Sequence, residues 1–231
     1  MHQLKSCFRD TDSSMAQVRP IFIPKIKTPI LKRTLDITLS LLMIFLSVPV
    51  SIIIALAIKL DDGGPIIYRQ KRWGRYGTHF NAYKFRTMKA DSDDNFGIKQ
   101  ARDNDRRITR VGKVLRAKGL DELPQIINIL LGDMSFVGPR ALAVGEILAG
   151  ENGCTLNYEA TPNFWKRLSV RPGLTGISAI FFAKDIPPRN KFRYDLFYIC
   201  SQSFWLDLNL IILSIWISIR GKWEVRGKKL G

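Results

Sequence analysis

Residues 36–62 read DITLSLLMIFLSVPVSIIIALAIKLDD, and the fold class turns on how this stretch is taken. Ile37 to Ile58 is a run of 22 residues without a charge, long enough to cross a bilayer. A cleaved secretion signal has a shorter apolar core near the start and small residues at its cleavage site, whereas this run follows Asp36 and ends in Ile58-Lys59-Leu60-Asp61-Asp62. The segment is therefore expected to stay in the protein. Lys and Arg number seven in residues 1–33 and eight in residues 59–89, so neither flank is the clear outer one. Positive charge is retained on the cytoplasmic side, and similar basic counts fit a hairpin that enters and returns better than a crossing. Pro49, mid-run, removes one backbone hydrogen bond and clashes with the preceding turn, while Ser47 and Ser51 can satisfy backbone groups freed in lipid. On these residues alone a kinked crossing helix explains the stretch as well.

Working outward, residues 1–31 hold Pro20, Pro24 and Pro29 with scattered charge and no apolar period, which describes an extended basic arm with affinity for anionic lipid. Beyond the apolar helix, Ile66 to Met88 alternates aromatic, basic and glycine residues and predicts a short hairpin with a basic surface. Asp91 to Asp105 is polar and acidic, a loop. Ile108, Val111, Val114 and Leu115 recur at helical spacing up to Ala117, and Gly119 can end that helix. A second helix is predicted from near Asp121 to Leu131, stopped by Gly132. Residues 204–219 carry one charge, Asp207, and are short for a span. Trp205, Trp216 and Trp223 with the basic Arg220 and Lys222 suit a helix at the headgroup level, though a buried core helix fits nearly as well.

The chain has 231 residues, 46% of them hydrophobic, enough for one domain with a core beside the membrane element. Its formal charge of +16 favours polyanionic partners: phosphates, anionic lipid or nucleic acid. Cys7, Cys154 and Cys200 are far apart and only His2 and His79 could join them, so neither a zinc site nor a disulfide frame is indicated. A nucleophile paired with histidine would have to rely on His79, which leaves carboxylates as the better catalytic candidates.

The most suggestive carboxylates are in Leu120-Asp121-Glu122-Leu123-Pro124-Gln125. Ordinary helix-start signals account for the same residues: Asp as cap, Glu in the first turn, Pro near the beginning. The functional alternative uses the same geometry, with a helix N-terminus keeping Asp121 ionised to attack phosphorus or hold a divalent cation, and Glu122 beside it. An anion attacking an anion needs neutralisation, which Mg²⁺ and bidentate arginines supply. Gly132-Asp133-Met134-Ser135-Phe136-Val137-Gly138-Pro139-Arg140 and Val170-Arg171-Pro172-Gly173-Leu174-Thr175-Gly176 each couple an Arg to a tight glycine turn able to hold an anion, although plain surface turns use the same residues. No Walker loop or dinucleotide fingerprint occurs.

Taken in order, these pieces resemble the monotopic phosphoglycosyl transferases, bacterial sugar transferases that start glycan assembly on a polyprenyl phosphate. The resemblance covers residues of about 32 to 220 and rests on Lys32-Arg33 with Asp36, Pro49, Gln70-x-Arg72-x-Gly74, Tyr83-Lys84-Phe85-Arg86-Thr87-Met88, Arg116 ahead of the Leu120–Gln125 motif, the two glycine turns, and Tyr194-Asp195 with Tyr198. It implies an α+β, mostly helical protein: a basic arm over 1–31, a re-entrant, Pro-kinked membrane helix over 32–60 with its hinge at Ser47 and Pro49, and a cytoplasmic catalytic domain over 61–231 that includes the interfacial helix 204–219. The implied reaction moves sugar 1-phosphate from a nucleotide sugar, usually a uridine one, to undecaprenyl phosphate. Asp121 would be the nucleophile that forms a covalent phosphosugar intermediate, Glu122 would assist, and Mg²⁺ would lie by Asp121. Arg116, Arg140 and Arg171 would neutralise phosphate oxygens, with Lys84, Arg86 and Asp195 as further substrate contacts. The implied location is the bacterial inner membrane, active site on the cytoplasmic face.

The chain departs from the family pattern in three places. Val48 separates Ser47 from Pro49 where the family places Ser directly before Pro; Ala141 replaces the second Pro after Gly-Pro-Arg; and Ala179 stands where Gln is usual. The short arm resembles the small members, which lack a bundle of spanning helices. Membrane lipid is a further expected partner, a second copy of the chain is left open, and nucleic acid is not expected. The rival explanation is a non-catalytic, membrane-tethered basic protein, whose binding to anionic lipid or nucleic acid would be salt-sensitive and indifferent to Asp121.

Overall fold

A run so apolar, with a proline as its only interruption, closes into one long helix. In the computed structural model, which describes residues 23–89, 105–149, 155–182 and 188–220, α1 spans Ile30–Asp62, and Gly63 ends it in the left-handed conformation with its N–H on the Lys59 carbonyl. Most of the N-terminal arm, the acidic loop up to Asn104, Lys222 and Trp223 lie outside the described residues. Pro49 lies inside α1, and Ser47 donates its Oγ–H to the Ile44 carbonyl at 3.1 Å. Among the described residues α1 is the one helix long and apolar enough to cross a membrane. Its middle is exposed, Phe45 to 76%, a cost in water of about 25 cal/mol per Å² of apolar surface that lipid removes.

Both ends of α1 are fastened to the rest of the molecule. At the start, Lys32 donates to Asp207 Oδ2 at 2.7 Å and to the Val137 carbonyl and Tyr198 Oη at 3.0 Å, and Tyr198 in turn donates to Asp207 Oδ1 at 2.7 Å. One turn on, Asp36 accepts from Ser135 Oγ at 3.0 Å and the Phe136 N–H at 3.1 Å. At the far end, Ile54 and Ile58 are buried with Phe85 and Leu115, Asp62 pairs with Arg86, and Asp61 accepts from the Val111 N–H at 3.2 Å.

The basic segment after α1 forms the predicted hairpin, β1 (Ile67–Trp73) antiparallel to β2 (His79–Phe85), in register from Ile67 opposite Phe85 to Trp73 opposite His79. The amphipathic stretch that follows is α2 (Arg110–Lys118). Thr109 caps it through the Gly112 N–H at 3.0 Å, and Gly119 ends it at φ 69°, a left-handed value cheap only for glycine. A 3-10 turn over Leu120–Glu122 then leads to α3 (Gln125–Leu131). Two short sheets follow, β3 (Ser135–Val137) parallel to β6 (Gly173–Thr175) and β4 (Ile147–Ala149) antiparallel to β5 (Thr155–Asn157), with the short α4 (Phe164–Arg167) between. The chain closes through α5 (Ile177–Phe181), α6 (Pro188–Cys200) and α7 (Phe204–Arg220).

The main core joins α3, β3, α6 and α7 through Ile126, Ile129, Phe136, Tyr198, Leu210 and Ile217, with Leu35, Leu39 and Met43 of α1 packed on it. α7 buries one face and exposes the other. Leu210, Ile211 and Ile217 face the core, while Trp205, Ile212, Trp216 and Ile219 are exposed.

Candidate active site

Pro124 decides where Asp121 ends up. Its ring fixes φ near −62° and starts α3 at Gln125, later than Asp121, and no side chain caps that helix. The expectation that Asp121 opens the second helix as its cap is thus corrected. Asp121 and Glu122 sit in the 3-10 turn between α2 and α3, outside the cap position, and are half-buried.

β2 and the loop after β3 bring cations to them. Lys84 Nζ donates to Glu122 Oε1 at 2.5 Å, and Arg140 Nη2 lies 3.7 Å from the same oxygen. Burial alone would raise the Glu122 carboxyl, but Lys84, Arg140 and Arg72 outweigh it and hold it below the usual carboxylate range. Asp121 goes the other way: burial raises its carboxyl above the ordinary value, Lys84 and Arg116 oppose this, and the charge on Glu122 reinforces it. Burial also pulls the Lys84 ammonium down while Glu122 holds it up. The two neighbouring carboxyls are therefore pushed in opposite directions, Glu122 down and Asp121 up, a separation typical of sites where one acid group reacts.

Three polar residues fix this geometry from behind. Asn128 accepts from the Tyr83 N–H at 3.1 Å and donates to the Asn81 carbonyl at 2.9 Å, tying β2 to α3 so that Lys84 faces Glu122. Arg72 donates to the Ala141 carbonyl at 2.7 Å, and Arg167 to the Arg140 carbonyl at 2.7 Å, so both hold the Arg140 loop. Asn128 escaped notice in the sequence, although a lone amide in the apolar run Ile126–Leu131 was a signal that it bonds internally.

Of the remaining candidates Arg116 acts on Asp121 through its charge, and the others are placed elsewhere. Arg116 lies in the last turn of α2, its Nη1 3.5 Å from Thr87 Oγ1. Arg86 is taken up by Asp62 at the end of α1. Asp195 is 3% exposed, accepts from Arg167 Nε at 3.0 Å and Ser178 Oγ at 2.7 Å, and anchors Arg167. Arg171 donates to the Gly132 carbonyl at 2.6 Å and to Thr28 Oγ1 at 2.8 Å, at the opposite end of α3 from Asp121. The two glycine turns expected to hold phosphate pack on each other. Gly138 donates to the Thr175 carbonyl and Gly173 to the Pro139 carbonyl, both at 2.9 Å, and a side chain on Gly173 would run into the backbone of Gly138. Their glycines serve this close approach, and Arg140 and Arg171 leave it in different directions.

A family model for bacterial sugar transferases matches residues 27–221, which span α1, the hairpin, the carboxylate turn and both glycine turns. The chain belongs to this family. It is 40% identical over 187 residues to the exopolysaccharide production protein PSS of Rhizobium leguminosarum bv. phaseoli, a match covering 79% of this chain and 92% of that one. To the UDP-glucose:undecaprenyl-phosphate glucose-1-phosphate transferase of Caulobacter vibrioides it is 36% identical over 84% of this chain and 71% of that one. To the UDP-N-acetylgalactosamine-undecaprenyl-phosphate N-acetylgalactosaminephosphotransferase of Aeromonas hydrophila it is 36% identical over 80% of this chain and 43% of that one. Sugar transferases with different sugars in their names thus lie at equal identity, so the family assignment does not choose a sugar.

Proposed function

We propose that the chain transfers sugar 1-phosphate from a nucleotide diphosphate sugar, with uridine the expected base, to undecaprenyl phosphate, releasing nucleoside monophosphate and starting glycan assembly. The names of its relatives support the substrates. The observation that carries the chemistry is the Asp121–Glu122 pair, held outside the α3 cap and against Lys84 and Arg140.

In this reading an oxygen of the Asp121 carboxylate attacks the phosphorus that bears the sugar. The bond from that phosphorus to the bridging oxygen breaks, and nucleoside monophosphate leaves with the oxygen. A phosphate oxygen of the lipid then attacks the same phosphorus, and Asp121 departs as a carboxylate. Glu122 keeps Lys84 and Arg140 in place so that their charges meet the phosphate oxygens. The carboxylate oxygens of Asp121 are hard donors of the kind Mg²⁺ takes, and among the described residues no group of three candidate ligands is assembled, so Asp121 would hold the ion together with substrate oxygens. When bound, Mg²⁺ would neutralise the diphosphate.

The same reading makes α1 a re-entrant helix with both flanks in the cytoplasm and the site at the membrane surface. Its support is that both ends of α1 engage one domain while its middle is apolar and exposed. Lys25→Cys and Gly63→Cys, in a chain freed of other cysteines, should both resist a membrane-impermeant thiol reagent applied to intact cells. Labelling of one of the two would establish a crossing instead.

The deciding assay is release of nucleoside monophosphate from a panel of nucleotide sugars with undecaprenyl phosphate and Mg²⁺, comparing wild type with Asp121→Asn. Release that needs lipid, metal and Asp121 sustains the transferase. Equal turnover by Asp121→Asn, or none by folded wild type with any donor, removes it and favours a tethered binder.

A further inference from the structure

The residues at the start of α1 enclose an open groove of about 520 Å³, reached by Lys27, Arg33, Arg75 and Arg171 and walled by Ile30 and Ile37. The guanidinium groups here bond to neutral oxygens. Arg33 donates to the carbonyls of Ile129 at 2.7 Å and Leu130 at 2.8 Å, Arg171 to that of Gly132, and Arg75 to those of Ile26 and Ser169. The C-terminus of α3 that accepts several of these bonds carries about half a negative charge. The carboxylate whose charge reaches Arg171, Asp36, is buried and spends one oxygen on Ser135 and Phe136. Among the described residues no carboxylate pairs with any of the four cations. Burial lowers the Arg171 guanidinium, and Arg75 and Arg33 lower it further, which is the mark of like charges pressed together.

Such a cluster is stabilised by a multivalent anion with several acceptor oxygens, and phosphate matches the planar forks of arginine. The apolar wall says which kind. Ile30 is 86% exposed, and Leu41 and Phe45, one and two turns beyond Ile37 on the same stripe, are exposed as well. A phosphate seated in the groove would hold attached acyl chains along α1, where the helix enters lipid. We propose that this groove binds the phosphate headgroup of an anionic membrane lipid, its chains lying along the first turns of α1. The groove is separate from the Asp121 centre, at the other end of the seven-residue α3, which is about 10 Å long. The proposal rests on the membrane placement of α1 and not on the transferase chemistry.

The test is native mass spectrometry of the full chain released from a neutral detergent containing equal phosphatidylglycerol and phosphatidylcholine. Wild type is expected to retain phosphatidylglycerol preferentially, and Lys27→Gln with Arg75→Gln to lose about thirtyfold in retention, two cations' worth of surface attraction. Lys27→Arg with Arg75→Lys should restore it, and Asp121→Asn should retain the lipid as wild type does. Lys27 is exposed, so Lys27→Glu alone gives a second variant if loss of the Arg75 contacts weakens folding, which circular dichroism melting reports; it too should lose retention. Undiminished retention in Lys27→Gln with Arg75→Gln and in Lys27→Glu, or loss of the lipid in Asp121→Asn, overturns the proposal. Displacement of phosphatidylglycerol by millimolar inorganic phosphate overturns the lipid assignment and makes the groove a free-phosphate site.

Discussion

Two arginine-rich clusters sit at opposite ends of α3, and they differ in one respect. Around Glu122, the cations Lys84 and Arg140 are set against a carboxylate; around Gly132, Arg33, Arg75 and Arg171 are set against carbonyls and the Thr28 hydroxyl. A cation balanced by a carboxylate is oriented but partly spent, able to meet charge that develops during a reaction. A cation balanced by dipoles keeps most of its charge for an anion that arrives whole. The first arrangement suits chemistry and the second suits holding, although composition makes the two regions look alike.

The contrast is broken most directly at Asp121. Asp121→Asn should lower nucleoside monophosphate release by about 10³-fold or more, the scale seen when a covalent nucleophile is removed, while the lipid retained at the other cluster stays as in wild type. Comparable loss in both readouts would mean that the clusters act as one site.

Next in size is the scaffold behind the balanced cluster. Asp195→Ala strands Arg167 in a site where the pair is 2% and 4% exposed, and removing one partner of a buried pair costs roughly 3–5 kcal/mol. A melting curve should show that loss. Turnover should fall with it at temperatures where the variant remains folded, because Arg167 holds the Arg140 carbonyl. A stable but inactive Asp195→Ala would instead return Asp195 to the substrate.

A finer distinction comes from pH. The raised Asp121 carboxyl must ionise to attack, so the acid limb of the rate profile should lie above the ordinary carboxylate range. Lys84 lowers that carboxyl and Glu122 raises it. Lys84→Gln should therefore move the limb to higher pH and Glu122→Gln to lower pH. A common direction for both variants would deny that the two groups act on Asp121 through charge.

The smallest effect belongs to the unbalanced cluster. Retention of phosphatidylglycerol should weaken as salt rises from 50 to 500 mM, on the order of a few-fold, since exposed charge is screened over about 10 Å at 0.1 M. The Lys27→Gln, Arg75→Gln variant should show a shallower salt slope. Equal slopes would place the screened charge outside the groove.

Local signals gave the outline of this molecule and stopped at the points where tertiary contacts choose. The apolar run, the aromatic and basic alternation of the hairpin, and the glycines at 119 and 132 all mark real boundaries, because each acts through its own backbone. Asp121 is different. Any acidic residue ahead of an apolar run can cap a helix, and Pro124, which starts α3 later, decides the matter three residues on. Arg140 and Arg171 sit in similar glycine turns, yet the contact of Gly138 with Gly173 sends them to different clusters. The three-residue strands β3 to β6 carry no period that a sequence could display.

The clamp on Lys32 sets a timetable for biogenesis. Lys32 stands in the first turn of α1, and its carboxylate partner Asp207 lies 175 positions later. At roughly 5–20 residues per second, a ribosome needs about 10–35 s to deliver that partner. For that interval the helix is already made and its ammonium lacks its carboxylate partner. A nascent chain halted before residue 207 lacks the pin that fastens the start of α1, so this end of the helix docks last.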